Sequence, residues 1–123
     1  MLKVRVSAAA AVVLALAASA AAHARLVRSE PAAGAVLRSA PREVRAWFSE
    51  ELDPGRSRLS VWDARGRQVD DGRGGVDLDD LDRRSMVARL RPVGPGTYTV
   101  RWRAVSADDG FVAEGQFRFT VRP

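Results

Sequence analysis

Apolar and polar residues alternate with a period of two along several segments of the chain, which is the pattern of a β-strand with one buried and one solvated face. The most regular segment is 96–105, whose predicted inward positions are Tyr98, Val100, Trp102 and Ala104. The same alternation predicts strands at 43–48, 57–63, 85–91 and 115–123. A less regular pattern predicts a first strand over 24–29 and a short strand over 67–70.

The segments between these predicted strands are rich in residues that form tight turns. Examples are 53–55 (DPG), 70–75 (DDGRGG), 92–96 (PVGPG) and 106–110 (SADDG). Glycine and aspartate adopt the unusual backbone conformations of turns, and proline fixes φ. About seven short strands, with frequent turns and no helical pattern, predict one all-β domain that forms an antiparallel sandwich or a Greek-key barrel.

The first residues have the features of a secretory signal peptide. Lys3 and Arg5 precede an uncharged run of mainly alanine, valine and leucine at 6–18, and small residues follow it. A transmembrane anchor is the alternative, but a span needs about 20 strongly apolar residues, and this run is shorter and mostly alanine. We therefore expect a signal peptide over 1–22 that is cleaved off, and a processed chain 23–123 with no further apolar run of membrane-spanning length.

The charge distribution and the lack of cysteine argue against some classes of function and some kinds of metal site. The chain carries 20 basic and 15 acidic residues, net +5, and loss of 1–22 leaves 18 basic residues, all arginine, and a net charge of +3. Because these charges are interspersed along the sequence, they do not predict a basic stripe for nucleic acid. The absence of cysteine excludes disulfide bonds and thiolate metal sites.

His23 is the single histidine of the chain and directly follows the predicted cleavage point. Cleavage there would expose its α-amine beside its imidazole, and the amine and Nδ1 together can close a chelate ring on a metal ion. Nitrogen donors suit Cu(II), which also heads the affinity order for such ligands. The alternative is that processing leaves a histidine in first place by coincidence.

The loop 106–115 holds a second candidate, because Asp108 and Asp109 precede a glycine there. An Asp-Asp-Gly sequence is ordinary in a hairpin turn, but a carboxylate on this loop could also complete a metal site with His23. The acidic segment 70–82 lacks the ligand spacing of an EF-hand, and we predict that it is a solvated loop.

The sequence offers no catalytic nucleophile with a matching general base. The single imidazole lies at the predicted terminus of the processed chain, which is a poor place for a positioned base, and no glycine-rich phosphate loop precedes a helix. We therefore predict a binding protein and not an enzyme.

Three segments together resemble the CopC family of exported copper-binding proteins. They are HARLVRSEPAAGAVLRSAPREVRAWFSEEL (23–52), GTYTVRWRAVSADDG (96–110) and GQFRFTV (115–121). The resemblance covers essentially all of 23–123 and implies a small Greek-key β-barrel of the cupredoxin or immunoglobulin-like kind. It also implies a periplasmic or other extracytoplasmic location, the binding and carrying of copper, and a membrane copper-import partner of the CopD type.

The resemblance also implies a set of Cu(II) ligands: the N-terminal amine and imidazole, and the aspartate and histidine of an Asp-Gly-His motif. His23 matches the first ligand residue and Asp109 matches the aspartate, but Phe111 stands where the second histidine is expected. The methionine-rich Cu(I) segment of the family is absent as well, since Met86 is the only methionine after position 22. An alternative role for Phe111 is to cap the end of the barrel, with Trp47 or Trp62 as neighbours.

Two hypotheses of different classes follow from these observations. The first is an extracytoplasmic copper-binding protein for copper handling, resistance or transfer, with a degenerate Cu(II) site formed by His23 and Asp109. The second is a metal-free β-sandwich interaction module that works with a membrane copper-transport partner. The position of His23 favours the first, and Phe111 favours the second.

Overall fold

The computed structural model describes residues 23–123, which form eight β-strands and contain no helix. The strands are β1 (Leu26–Glu30), β2 (Val36–Leu37), β3 (Glu43–Phe48), β4 (Arg58–Trp62), β5 (Gly75–Val76), β6 (Ser85–Arg89), β7 (Gly96–Val105) and β8 (Val112–Val121). No helix that could cross a bilayer is found among these described residues. The predicted signal peptide over 1–22 lies outside them.

The strands form a Greek-key sandwich of two four-stranded sheets. Sheet A has the order β1-β3-β6-β5, and sheet B has the order β2-β8-β7-β4. Both sheets end in edge strands, so the sandwich arrangement is observed and the alternative of a closed barrel is not. The pairing is antiparallel as predicted, except that β2 runs parallel to β8.

The inward faces of the two sheets pack into a single core. Most of its members come from the alternate positions that the sequence pattern marks as apolar, and Leu52, in the loop after β3, adds to them. The most completely buried large side chains include Phe119, Leu52, Leu59, Met86, Val44, Val61 and Val100. Burial of an apolar side chain of this kind contributes about 1.5–3 kcal/mol to folding. Since the chain has no cysteine, this core is the main source of stability.

One end of the sandwich brings together chain segments from both sheets. In sheet A, β1 begins beside the end of β3, through the pair Leu26 and Phe48. In sheet B, β7 ends where β8 begins, and an isolated bridge between Leu52 and Ser106 joins the loop after β3 to the turn between β7 and β8. The residues before β1 therefore lie close to that turn.

The strand predictions are confirmed for the longer strands and fail for short segments. The segment 67–70 does not form a strand, because only Gln68 and Asp70 make isolated bridges there. β8 begins at Val112, three positions before the predicted start. The two-residue strands β2 and β5 were not predicted, and β5 lies within the segment that we expected to be a solvated loop.

Asp70 explains why the segment 67–70 departs from a strand. This carboxylate is only 1% exposed, and it accepts hydrogen bonds from the backbone N–H groups of Val61 at 2.7 Å and Gly72 at 2.7 Å. The side-chain amide of Gln68 donates to it as well, at 3.0 Å. A buried carboxylate is tolerated where such donors satisfy it, and here it takes the place of backbone partners in a strand ladder.

Trp102 is packed closely against its cross-strand neighbour Gly115. A Cβ added to Gly115 would lie 2.6 Å from Cε2 of the indole, and the indole also makes an edge-type contact with Phe48, with ring centroids 5.2 Å apart. The indole is therefore packed against both a glycine and a core aromatic ring. Glycine in a strand interior often marks such a close approach.

We expect Gly115→Ala to lower the free energy of unfolding by about 1–3 kcal/mol, because the new methyl group overlaps the indole of Trp102 and forces it to shift. Gly94→Ala is the matched control, since an added Cβ there has no heavy atom within 4 Å. Denaturant unfolding of the two variants measures the difference. Equal stabilities for both variants would contradict the packing described here.

Candidate metal centre

The fold brings together the two residues that the sequence singled out as metal ligands. The Nε2 atom of His23 lies 4.0 Å from the Oδ2 atom of Asp109, and their side chains are 34% and 44% exposed. His23 precedes β1 of sheet A, whereas Asp109 lies in the turn between β7 and β8 of sheet B. The pair therefore spans the two sheets at an open end of the sandwich.

Backbone pairing to the end of β3 fixes the segment that carries His23. Ser49 donates its N–H to the carbonyl of Arg25 at 3.0 Å, and the N–H of Arg25 donates to the hydroxyl of Ser49 at 3.0 Å. Ala24, directly after His23, is 3% exposed and belongs to the core. Consequently the backbone next to His23 is anchored, while its imidazole points to the solvated end.

A tight turn orients Asp109. Gly110 donates its N–H to the carbonyl of Ser106 at 2.9 Å, and Ser106 donates its own N–H to the carbonyl of Phe111 at 3.0 Å. The φ of Gly110 is +71°, in the left-handed region that favours glycine. The N–H of Ala107 donates a hydrogen bond to the carbonyl of Glu51, and this bond holds the turn against the loop after β3.

The carboxylate of Asp109 is stabilised in its charged form. The backbone N–H of Phe111 donates to Oδ1 at 2.9 Å, and this hydrogen bond is the main cause that holds the pKa of Asp109 below its usual value; nearby His23 acts in the same direction. Because the pKa is lowered, the carboxylate is available to a cation at any pH above the ordinary range for aspartate.

Phe111 packs directly on the imidazole. The rings of His23 and Phe111 are stacked with centroids 3.6 Å apart and an interplanar angle of 5°. The aromatic neighbour of Phe111 is thus His23 and not Trp47 or Trp62, whose rings contact the guanidinium groups of arginines. Phe111 has no donor atom, so the contact holds the imidazole without adding a ligand.

The donor set at this end of the sandwich is small. Among residues 23–123, no group of three or more histidine, aspartate or glutamate side chains is arranged to hold a metal ion. Asp108 is exposed, and the carboxylate of Glu50 accepts a hydrogen bond from Ser106 at 3.2 Å. Glu50 was not among the sequence candidates, because its position beside the turn depends on a contact with Ser106, which lies 56 positions away in the sequence.

The orientation of the imidazole matters for chelation. In the chain that retains residue 22, the backbone nitrogen of His23 is an amide and Nε2 faces Asp109. A chelate with a free α-amine would use Nδ1, whereas Nε2 is the nitrogen that faces Asp109 here. If the chain were cut before His23, these residues would offer a metal ion two nitrogens and one carboxylate.

Known proteins of similar sequence and structure share this β-sandwich architecture. The CopC domain family matches residues 26–122, which is nearly all of the described chain. The chain belongs to the CopC family. Crystal structures of CopC from Methylosinus trichosporium OB3b (TM-score 0.73, 29% identity, 82% of this chain and 95% of that one) and of PcoC, a methionine-rich copper resistance protein from Escherichia coli (TM-score 0.68, 33% identity, 82% and 100%), share the fold.

Two relatives of this CopC-family domain differ greatly in length. Protein YobA of Escherichia coli (strain K12) is 30% identical over 102 residues, which are 82% of this chain and 80% of YobA. Copper transport protein CutJ of Bacillus subtilis (strain 168) is 32% identical over 101 residues, which are 81% of this chain but only 18% of CutJ. The chain thus matches a small part of CutJ and most of YobA.

We expect Phe111→Leu to release the imidazole of His23 from its stacked position. Loss of the ring current of Phe111 should move the His23 ring protons downfield in the NMR spectrum, and loss of the stack should cost up to about 1 kcal/mol of stability. Leu81→Ala, at a 97% exposed apolar loop position, is the control and should leave these resonances in place. Unchanged His23 shifts in Phe111→Leu would show that the two rings are not stacked in solution.

Proposed function

We propose that this CopC-family domain is an extracytoplasmic copper-binding protein that handles Cu(II) in resistance or transfer. Its degenerate site, formed by His23 and Asp109, has fewer ligands than a complete one. The observation that carries the proposal is the convergence of His23 and Asp109, from opposite sheets, to within 4.0 Å. Family membership and relatives described as copper resistance and copper transport proteins support copper as the cargo. Binding and carriage, with no covalent chemistry, is the role that these residues suit.

Processing before His23 is part of the proposal. Removal of the signal peptide over 1–22 during export would convert the amide nitrogen of His23 into a free amine, and the amine and imidazole would then form the chelate. A free α-amine has a pKa of about 7.7–8.0 and must lose its proton to bind a metal. Copper affinity should therefore fall as the pH decreases below this range.

The presence of Phe111 where the resemblance implies a histidine ligand lowers the Cu(II) affinity that we expect for the site. Loss of a residue that merely supports a metal ligand weakens binding by about 10–100-fold, and the loss of an imidazole ligand should cost at least as much. The remaining ligands are two nitrogens, the carboxylate of Asp109 and water. We therefore propose Cu(II) binding that is weaker than in a complete site and is still specific to the processed N-terminus.

A second candidate function rests on Phe111. Its ring fills the space beside His23 and stabilises the imidazole in the metal-free protein, which fits a domain that keeps the fold and acts through protein contacts alone. Its partner would be a membrane copper-transport protein of the CopD type. Copper titration separates the two candidates, because this one requires no specific Cu(II) affinity.

We expect the processed chain 23–123 to bind one Cu(II), and a chain 22–123 that keeps a single extra residue to lose this binding, because the extra residue removes the free amine of His23. Calorimetry and EPR measure the stoichiometry and the ligand field. Equal affinities of the two chains would rule out the N-terminal chelate, and the absence of binding in both would favour the metal-free interaction module.

We expect Asp109→Asn to weaken Cu(II) binding to 23–123 by about 10-fold or more, because an amide oxygen is a poorer ligand than a carboxylate. Asp108→Asn is the matched control: it removes the same charge one position away and should change the affinity much less. An equal effect of both substitutions would mean that the carboxylates act only through their overall negative charge. Asp109 would then not be a ligand.

A further inference from the structure

The outer face of sheet B gathers arginines that are separated in the sequence. Antiparallel pairing aligns its outward residues in rows across β8, β7 and β4. The rows are Arg118, Thr99 and Trp62; then Gln116, Arg101 and Ser60; then Glu114, Arg103 and Arg58. At the far edge, β2 places Val36 beside Thr120 of β8, which pairs with Thr97.

The charges on this face are left without ionic partners. Among the described residues, none of its four arginines lies within 4.0 Å of a carboxylate. Arg58 turns to the backbone carbonyls of Ser57 and Gly55, at 2.8 and 3.3 Å, and Arg101 lies over the ring of Trp62 at 5.1 Å. Glu114 is the only acidic residue in the three rows, so the face carries a net charge of about +3.

The outer face of sheet A has a different charge pattern. There Arg45 pairs with Asp77 at 2.6 Å and with Glu43 at 3.4 Å, and Arg28 pairs with Glu30 at 3.6 Å. The hydrogen bond to Asp77 is the main reason why the pKa of Arg45 is raised. Within the described part of the chain, Arg28 and Arg45 on the outer face of sheet A therefore have ionic partners, whereas the four arginines on the outer face of sheet B have none within 4.0 Å.

The distribution of apolar groups on sheet B indicates which kind of anionic partner fits. Interfaces between proteins have an apolar centre and a polar rim. Here the order is reversed: Arg101 lies in the middle row, whereas the half-buried indole of Trp62 and the 54% exposed Val36 lie on opposite edge strands. A surface with tryptophan at its edge and arginine in its centre suits the headgroup layer of a lipid bilayer, because tryptophan is enriched at the boundary between water and membrane.

We propose that the outer face of sheet B docks on the surface of an anionic phospholipid bilayer. Arginine forms bidentate hydrogen bonds with phosphate oxygens, and the threonine hydroxyls of β7 and β8 add further donors. The face ends at the β7–β8 turn, so a docked domain would hold the turn with Asp109 near the membrane. The proposal does not depend on copper binding and is tested on the metal-free protein.

The test measures how chain 23–123 partitions to vesicles of phosphatidylcholine with about one third phosphatidylglycerol, by co-sedimentation. This chain contains every residue of the core, so it is the form to use. A basic side chain near such a surface contributes about 1 kcal/mol, or roughly five-fold in partitioning. We expect the triple variant R101Q, R103Q and R118Q to lose about 100-fold.

A matched triple variant separates docking by this face from attraction to net charge. The substitutions R42Q, R65Q and R89Q remove the same charge from exposed positions elsewhere and should change partitioning by less than about five-fold, since salt screens charges beyond about 10 Å. An equal loss in both triple variants would overturn the proposal, as would equal binding to pure phosphatidylcholine. Binding to soluble polyglutamate without binding to the vesicles would assign the face to an acidic protein and overturn it as well.

Discussion

The pairing of β7 with β8 is the constraint on which the rest of the structure depends. It runs in unbroken register from Gly96 with Val121 to Val105 with Val112. Its inward residues supply much of the core, and its outward residues form the arginine-rich face of sheet B. The turn that closes the pair positions Asp109, so a register slip by one residue would invert both faces and displace the candidate site.

The contact between His23 and Phe111 links the two sheets at the end of the sandwich where the candidate ligands lie. Two imidazoles that bind one metal must both point their nitrogens at it, whereas stacked rings 3.6 Å apart lie in separate parallel planes. Phe111 has no donor atom, so its contact with His23 is one of packing and not of shared coordination.

Most of the fold could be predicted from the sequence, because a period of two marks both faces of a long strand. A period of two cannot be recognised in a strand of two residues, which is why the sequence does not predict β2 and β5. The segment 67–70 departs from the predicted strand because the side chain of Asp70 accepts hydrogen bonds from backbone N–H groups. The candidate ligands His23 and Asp109 came from a resemblance and from position. Their proximity, and the stacking on Phe111, depend on how the sheets pack, which no local pattern contains.

The most direct measurement is EPR with electron–nuclear double resonance on the Cu(II) complex of chain 23–123, prepared with ¹⁵N-labelled histidine in an unlabelled background. Because His23 is the single histidine, this label marks its α-amine and its imidazole and no other nitrogen of the protein. Our account predicts strong couplings from two directly coordinated ¹⁵N nuclei, the α-amine and Nδ1, a much weaker coupling from the remote Nε2, and none from unlabelled nitrogen. Strong coupling to an unlabelled backbone nitrogen, or to only one labelled nucleus, would contradict it.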